Sequence, residues 1–269
     1  MNPQVAEILR SHGATPEDFV LGTRAVWAGA VPAMRGIELW KSLSEQFGAT
    51  GLWPIFRGES EESLEIPDEV WDEFDDSPPP LGTIDQILNE RLQERVASLK
   101  EMHVSIREDA SIEAAALAAD DAGIYTFSGK SHAVSPWPQS IPPKRINLQV
   151  LNEAPAATGL APLALVPVAD PAEITMALGF GGWNECPSPQ LLSGVLRDWR
   201  TRYGAMPACI TSSVLECVVE RPPQSESECL RLACEQWLLC EDIVSQGTQS
   251  VRKLALELQS AHSWFLWWD

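Results

Sequence analysis

The chain has 269 residues and a hydrophobic content of 45%, enough to fill the core of one large domain or two ordinary ones, which excludes disorder as the default state. Acidic residues outnumber basic ones 38 to 19, giving a formal charge of -19. Such a surface is poorly matched to phosphate backbones or anionic lipid, so nucleic acid and membrane are excluded as expected partners. No run of about 18 apolar residues occurs, and Met1 to Arg10 carries Glu7 and Arg10 instead of a basic-then-apolar leader. The expectation is a soluble, cytoplasmic protein.

In chain order, Pro3 to Ser11 and Arg35 to Phe47 read as short amphipathic helices, the second carrying Ile37, Leu39, Trp40, Leu43 and Phe47 at near-helical spacing and stopping at Gly48. Gly51 to Phe56 reads as a buried strand. Residues 57–82 form an acidic loop: between Glu59 and Asp76 there are ten acids and no Lys or Arg, with Pro67 and Pro78 to Pro80 opposing a long helix. A calcium site does not fit, because the acids lack the alternating spacing around a central glycine. The segment reads either as a solvated loop or as a docking surface for a basic partner. In the docking reading Asp72, Glu73, Asp75 and Asp76 supply charge, and Trp71 and Phe74 serve as apolar anchors.

Thr83 caps a predicted helix from Ile84 to about Met102, with Ile84, Ile87, Leu88, Leu92, Val96 and Leu99 along one stripe. Ser111 caps a second, from Ser111 to Ala122, which Gly123 stops. Residues 128–162, rich in Ser, Gly and Pro, read as a linker or long loop, with a strand at Arg145 to Leu151. They separate a helix-rich N-terminal region, 1–127, from an α+β domain, 163–269, whose mixed sheet is covered by helices.

That last third carries the clearest signals. Leu163 to Val168 is a strand, and Asp170 with Pro171 opens a short helix that Gly179 ends. Ser188 caps and Pro189 starts a helix that Gly204 stops. Ala208 to Thr211 and Val214 to Val219 form a hairpin around Ser212 and Ser213, placing Cys209 opposite Glu216 and Cys217 on the other side of the sheet. Ser225 and Glu228 make a capping box for a helix reaching about Ser245, ended by Gly247. A helix from Ser250 to Ser260 leads to a terminal strand, Trp264 to Trp268, apolar on both faces and therefore expected at the sheet centre.

All six cysteines fall here: Cys186, Cys209, Cys217, Cys229, Cys234 and Cys240. Their spacings contain no C-x-x-C pair, and the three on the predicted helix do not share a face, so neither metal nor disulfide is expected. Buried thiols are the ordinary reading; Cys186, just before a helix N-terminus, is the one placed for a stabilised thiolate. His12, His103, His132 and His262 are scattered, and neither G-x-S-x-G nor a phosphate-binding glycine loop is present. No cofactor is expected. The 11 tryptophans, with Trp264, Trp267 and Trp268 crowding the terminal strand, read as core packing or as an aromatic-walled cleft.

Five pieces resemble a bacterial family known only as domain of unknown function 4253: GFGGWNECP (Gly179 to Pro187), WRTRYGA (Trp199 to Ala205), RPP (Arg221 to Pro223), CEDIVSQG (Cys240 to Gly247) and the terminal WFLWWD. LWKSL followed by TGLWP (Thr50 to Pro54) is similar to the segment that often precedes that domain. Glu241 departs from the pattern, which leads one to expect Pro after the cysteine. The resemblance implies an α+β domain without an assigned activity, and marks Gly181, Gly182, Trp183, Asn184, Asp242, Trp268 and Asp269 as candidate binding positions. Two functions follow. The first is a non-enzymatic protein-interaction module, immunity or antitoxin-like, that binds a basic partner. The second is an enzyme of unrecognised class whose pocket is formed by the Gly181 to Cys186 loop and the aromatic tail.

Overall fold

The structure is a computed structural model and describes residues 1–22, 25–58, 84–126, 137–138, 141–154 and 158–269. The acidic segment with Trp71, Asp72, Glu73, Phe74, Asp75 and Asp76, the Thr83 cap and residues 128–136, 139–140 and 155–157 of the Pro-rich stretch lie outside the described residues.

Asn2 opens α1 (Pro3–Ser11) by accepting the Gln4 amide on its side-chain oxygen at 2.9 Å, with proline at the first helical position. Two strands then follow in a region read as helical: β1 (Val20–Leu21) and β2 (Trp27–Pro32). The WAGAVP of β2 has little strand propensity. Its Gly29 is needed for packing, because a Cβ there would stand 2.6 Å from the Phe19 ring.

The single helix expected from Arg35 to Phe47 is split into α2 (Gly36–Ser44) and α3 (Phe47–Thr50), and the left-handed stop is Gly51 (φ 66), not Gly48. β3 (Leu52–Phe56) follows. Trp53 meets the edges of Trp40 and Phe47 and donates its indole N–H to the Pro207 carbonyl at 2.9 Å. α4 (Ile84–Glu101) buries Leu88, Leu92, Val96 and Leu99 of the stripe read from sequence, while Ile84 and Ile87 near its start are half-buried. α5 (Ile112–Ala122) starts on the Ser111 cap and ends at left-handed Gly123.

Arg145 to Leu151 is not a strand. Lys144 makes one isolated parallel bridge to Ala261, and the chain then turns into α6 (Gln149–Asn152). The reason is electrostatic: the Glu216 carboxylate accepts the Gln149 and Val150 amides at 2.7 and 3.3 Å, drawing that turn onto the sheet.

β4 (Leu160–Pro167) pairs antiparallel with β2 on one side and β3 on the other. With β5 (Ala205–Ile210), β6 (Val214–Val219) and β7 (Ser263–Trp267) these form one seven-stranded sheet of order β1-β2-β4-β3-β5-β6-β7. Only β3 and β5 run parallel; every other neighbouring pair is antiparallel. The fold is thus α+β with a mixed sheet, but strands from the N-terminal region belong to the same sheet as those of the last third.

Around β5 and β6 stand α7 (Ile174–Ala177), α8 (Pro189–Tyr203), α9 (Glu226–Leu239) and α10 (Val251–Leu258). The Ser188 cap, the Pro189 start, the left-handed Gly204 and the Ser225–Glu228 capping box all stand where the sequence places them. So does the hairpin register, with Cys209 opposite Glu216. α9 is shorter than expected: Cys240 leaves helical geometry (φ -147), Ile243–Thr248 form a π-helical turn, and the left-handed residue is Gln249, not Gly247.

The terminal strand corrects a further expectation, since among the described strands β7 pairs with β6 alone and stands at the edge. Trp264 and Leu266 are buried, Trp264 packing edge-on against Trp199 and Tyr203 of α8, whereas Phe265 on the opposite face is 37% exposed. Its two apolar faces reflect helices beneath and a cleft above, not a central place.

Candidate functional site

The candidate binding residues from the last third do converge. Gly181 (φ 116) has no room for a side chain, since a Cβ would collide with the Pro187 carbonyl, and Gly182 (φ 86) donates its amide to that carbonyl at 3.0 Å. This tight loop presents Trp183 edge-on to Phe180, which in turn meets the Trp268 ring at 5.8 Å. Asn184 donates to the Asp269 carbonyl at 2.8 Å; Asp242 accepts the Asp269 amide at 3.0 Å and a Gln246 amide hydrogen at 3.1 Å. Trp268 donates its indole N–H to the Leu239 carbonyl at 3.0 Å and its main-chain N–H to Ser213 at 3.1 Å. Asn184, Asp242, Trp268 and Asp269 thereby form a latch that fastens the chain after β7 to the loop and to α9. The clefts beside Arg57, beside Gln236 and beside Trp40 are lined by other residues than Gly181 to Cys186.

All six thiols are free and buried. Cys186, the one placed for a stabilised thiolate, is instead pushed up to about 12 by burial, reinforced by the neighbouring Cys240, so the helix N-terminus does not activate it. Cys240 also rises to about 12 by burial and donates its S–H to the Trp267 carbonyl. Among the described residues no group of three or more His, Cys, Asp or Glu side chains is placed to hold a metal ion. No described helix is long and apolar enough to cross a membrane.

Buried carboxylates are the functional-looking groups that the sequence reading missed. Glu235, 1% exposed, accepts the Trp199 indole N–H at 3.0 Å and pairs with Arg202 at 2.6 Å and Arg231 at 2.9 Å. Asp120 accepts the amides of Val251 and Arg252 and the Ser250 hydroxyl, fixing the start of α10. Glu241, the departure from the family pattern, pairs with Arg95 and accepts the Tyr125 hydroxyl at 2.6 Å, while Trp237 donates to that same hydroxyl. It thereby ties the C-terminal part to α4 and to the chain after α5. For Glu235 and Glu216 the available signal was an acid flanked mostly by apolar residues, in LACEQWLL and VLECVV.

A cleft of about 430 Å³ lies where the parallel strands β3 and β5 end, lined by Arg57, Gly58, Val150, Thr211, Val214 and Phe265 among others. Gly58 lets the end of β3 lie against the β5–β6 turn, its missing Cβ falling 3.2 Å from Thr211. The Thr211 hydroxyl oxygen accepts the amides of Ser213 and Val214 at 3.3 and 3.0 Å, which leaves its hydrogen to donate elsewhere. Arg57 is 8% exposed, and burial lowers its pKa to about 10, so it remains a cation at neutral pH. Beneath the cleft, burial raises the Glu216 pKa above its ordinary value while the two α6 amides partly oppose the rise.

No curated protein and no solved structure is significantly similar to the chain. Residues 162–269, running from within β4 through β7 and containing the whole latch, match the family described as Domain of unknown function (DUF4253), the family to which the C-terminal part of this protein therefore corresponds.

Proposed function

We propose that the protein is a non-enzymatic interaction module, immunity or antitoxin-like, that binds a basic protein partner. The observation that carries this reading is the charge. The net -19 is accompanied by internal use of the basic groups: Arg95, Arg197, Arg200, Arg202, Arg231 and Arg252 each pair with a carboxylate of the same chain. The surplus acids then set the sign of the outer field, which accelerates encounter with a cationic surface and repels anionic ones. The densest source of that field in the sequence is Glu59 to Asp76, with Trp71 and Phe74 as the anchors that would slow dissociation.

The test is affinity capture from the native host with two baits, the wild-type chain and a chain carrying Asp72→Lys, Glu73→Lys, Asp75→Lys and Asp76→Lys. A basic protein recovered by the first and lost from the second, with an association rate that falls as salt rises and a faster dissociation in Trp71→Ala, supports the reading. Identical recoveries with both baits overturn it.

A further inference from the structure

We propose that the cleft between β7 and α10 is a binding site for a small uncharged cyclic amide, a lactam edge carried on an apolar ring. The inference is independent of the protein partner proposed above. The cleft has a volume of about 320 Å³, that of a small-molecule pocket, and takes its lining from β7, the π-helical turn Ile243–Thr248, α10 and Gln236 of α9. Such a turn is rare in proteins and recurs at functional sites.

Two buried polar side chains of this lining lack partners among the described residues. Gln236, 1% exposed, has neither a donor for its side-chain carbonyl oxygen nor an acceptor for its amide nitrogen, and the indole N–H of Trp264, 2% exposed, has no acceptor. Buried groups are almost always satisfied in folded proteins, because an unpaired donor or acceptor forfeits the bonds that water gives it in the unfolded chain. The hydroxyls of the same cleft are engaged: Thr248 donates to the Ser250 carbonyl at 2.9 Å, and the Ser263 oxygen accepts the Asn147 amide at 3.1 Å.

These groups select the ligand. A carboxamide presents a donor and an acceptor side by side in one plane, and its complement is an amide whose N–H and C=O share an edge, as a ring enforces. The trans amide of a peptide turns them to opposite sides and meets only one. The ligand carbonyl keeps a second lone pair for the Trp264 N–H. Gln236 reaches the ligand by rotation about its own side-chain torsions, the last of which is broad. Ile243, Leu254, Leu258 and Trp267 provide an apolar wall for the ring. An anion is disfavoured, since among the described residues the lining holds no Lys, Arg or His, and its one acid, Glu257, is exposed to water.

The experiment titrates the full chain with valerolactam, pyridone and quinolone, with their N-methyl counterparts, which keep the ring and lose the donor, with N-methylbenzamide as a trans amide, and with benzoate, read by NMR chemical shifts and thermal melting. The expected result is saturable binding of at least one lactam at about 1 mM or tighter, roughly tenfold or more over its N-methyl counterpart, the trans amide and benzoate. The Trp264 indole N–H resonance should move downfield as it gains an acceptor. Gln236→Met removes the carboxamide at similar volume, and because that group has no partner in the chain to lose, the variant should melt no lower than the wild type while binding the lactam roughly tenfold or more weakly. The proposal is overturned if no lactam saturates, if an N-methyl counterpart, the trans amide or benzoate binds as well, if binding survives in Gln236→Met, or if that variant melts well below the wild type or does not fold.

Discussion

The two edges of the sheet solve the same problem differently. At one end β1 is two residues long and leaves Val20 and Leu21 69% and 51% exposed, so shortness alone limits how much unpaired backbone is offered to another chain. At the other end β7 is five residues long and buries Trp264 and Leu266, and the chain beyond it is fastened through Trp268 and Asp269 to Ser213, Leu239, Asp242 and Asn184. An edge strand can therefore be either a margin of the sheet or one of its principal supports. Position in the strand order does not decide which; the burial of its side chains and the bonds at its end do.

The comparison breaks most readily at β7. Deleting Trp264 to Asp269 removes two fully buried indoles, and at roughly 3 to 5 kcal/mol for loss of each large aromatic the total is comparable to the whole stability of an ordinary domain. The expected outcome is loss of a cooperative melting transition; a truncated chain that melts as the wild type does would show the tail to be as peripheral as β1.

A smaller and pH-dependent effect is expected inside the sheet, at Glu216. Burial raises its folded pKa above the ordinary 4.5 of the unfolded chain, so the protonated form contributes stability at low pH that is lost as pH climbs from 4.5 through the folded value. Glu216→Gln, which keeps an acceptor for the Gln149 amide but does not ionise, should gain on the wild type over that window. Urea unfolding between acid and neutral pH would read the gap, and a gap that is constant or narrows with pH contradicts the assignment. At β1 the smallest change is expected: Val20→Lys should alter stability by no more than about 0.5 kcal/mol, because the side chain is already in water. A loss approaching that of the β7 deletion would show that the two edges do not differ.

What the sequence disclosed was local. Ser188, Pro189 and Gly204 mark both ends of α8 because capping chemistry is confined to a few neighbouring residues, and the Cys209–Glu216 register follows from a short turn. What it concealed depends on partners far along the chain. The edge position of β7 is set by strand order, and β2 is a strand because β4 pairs with it, not because Trp27 to Pro32 favours one. The candidate residues Asn184, Asp242 and Asp269 were legible as special, but their use as a latch was not, since the same polar residues serve a ligand or one another. Arg57 carried no motif; it lies buried beside the cleft at the end of β3 and the β5–β6 turn.

The insertion of β4 between β2 and β3 has a consequence for the order of events during synthesis. β5, β6 and β7 find their neighbours within a span of about 60 residues, whereas β2 and β3 wait for a partner that begins at Leu160, about 100 residues after Phe56. At translation rates of roughly 5 to 20 residues per second, those two strands spend on the order of 5 to 20 s on the ribosome without their mate. Pairing of this range makes the amino-terminal half of the sheet the late-forming half, so the nascent chain carries Val31, Ile55 and Phe56 without the strand they pair on, and a chaperone that acts during synthesis would find its substrate there.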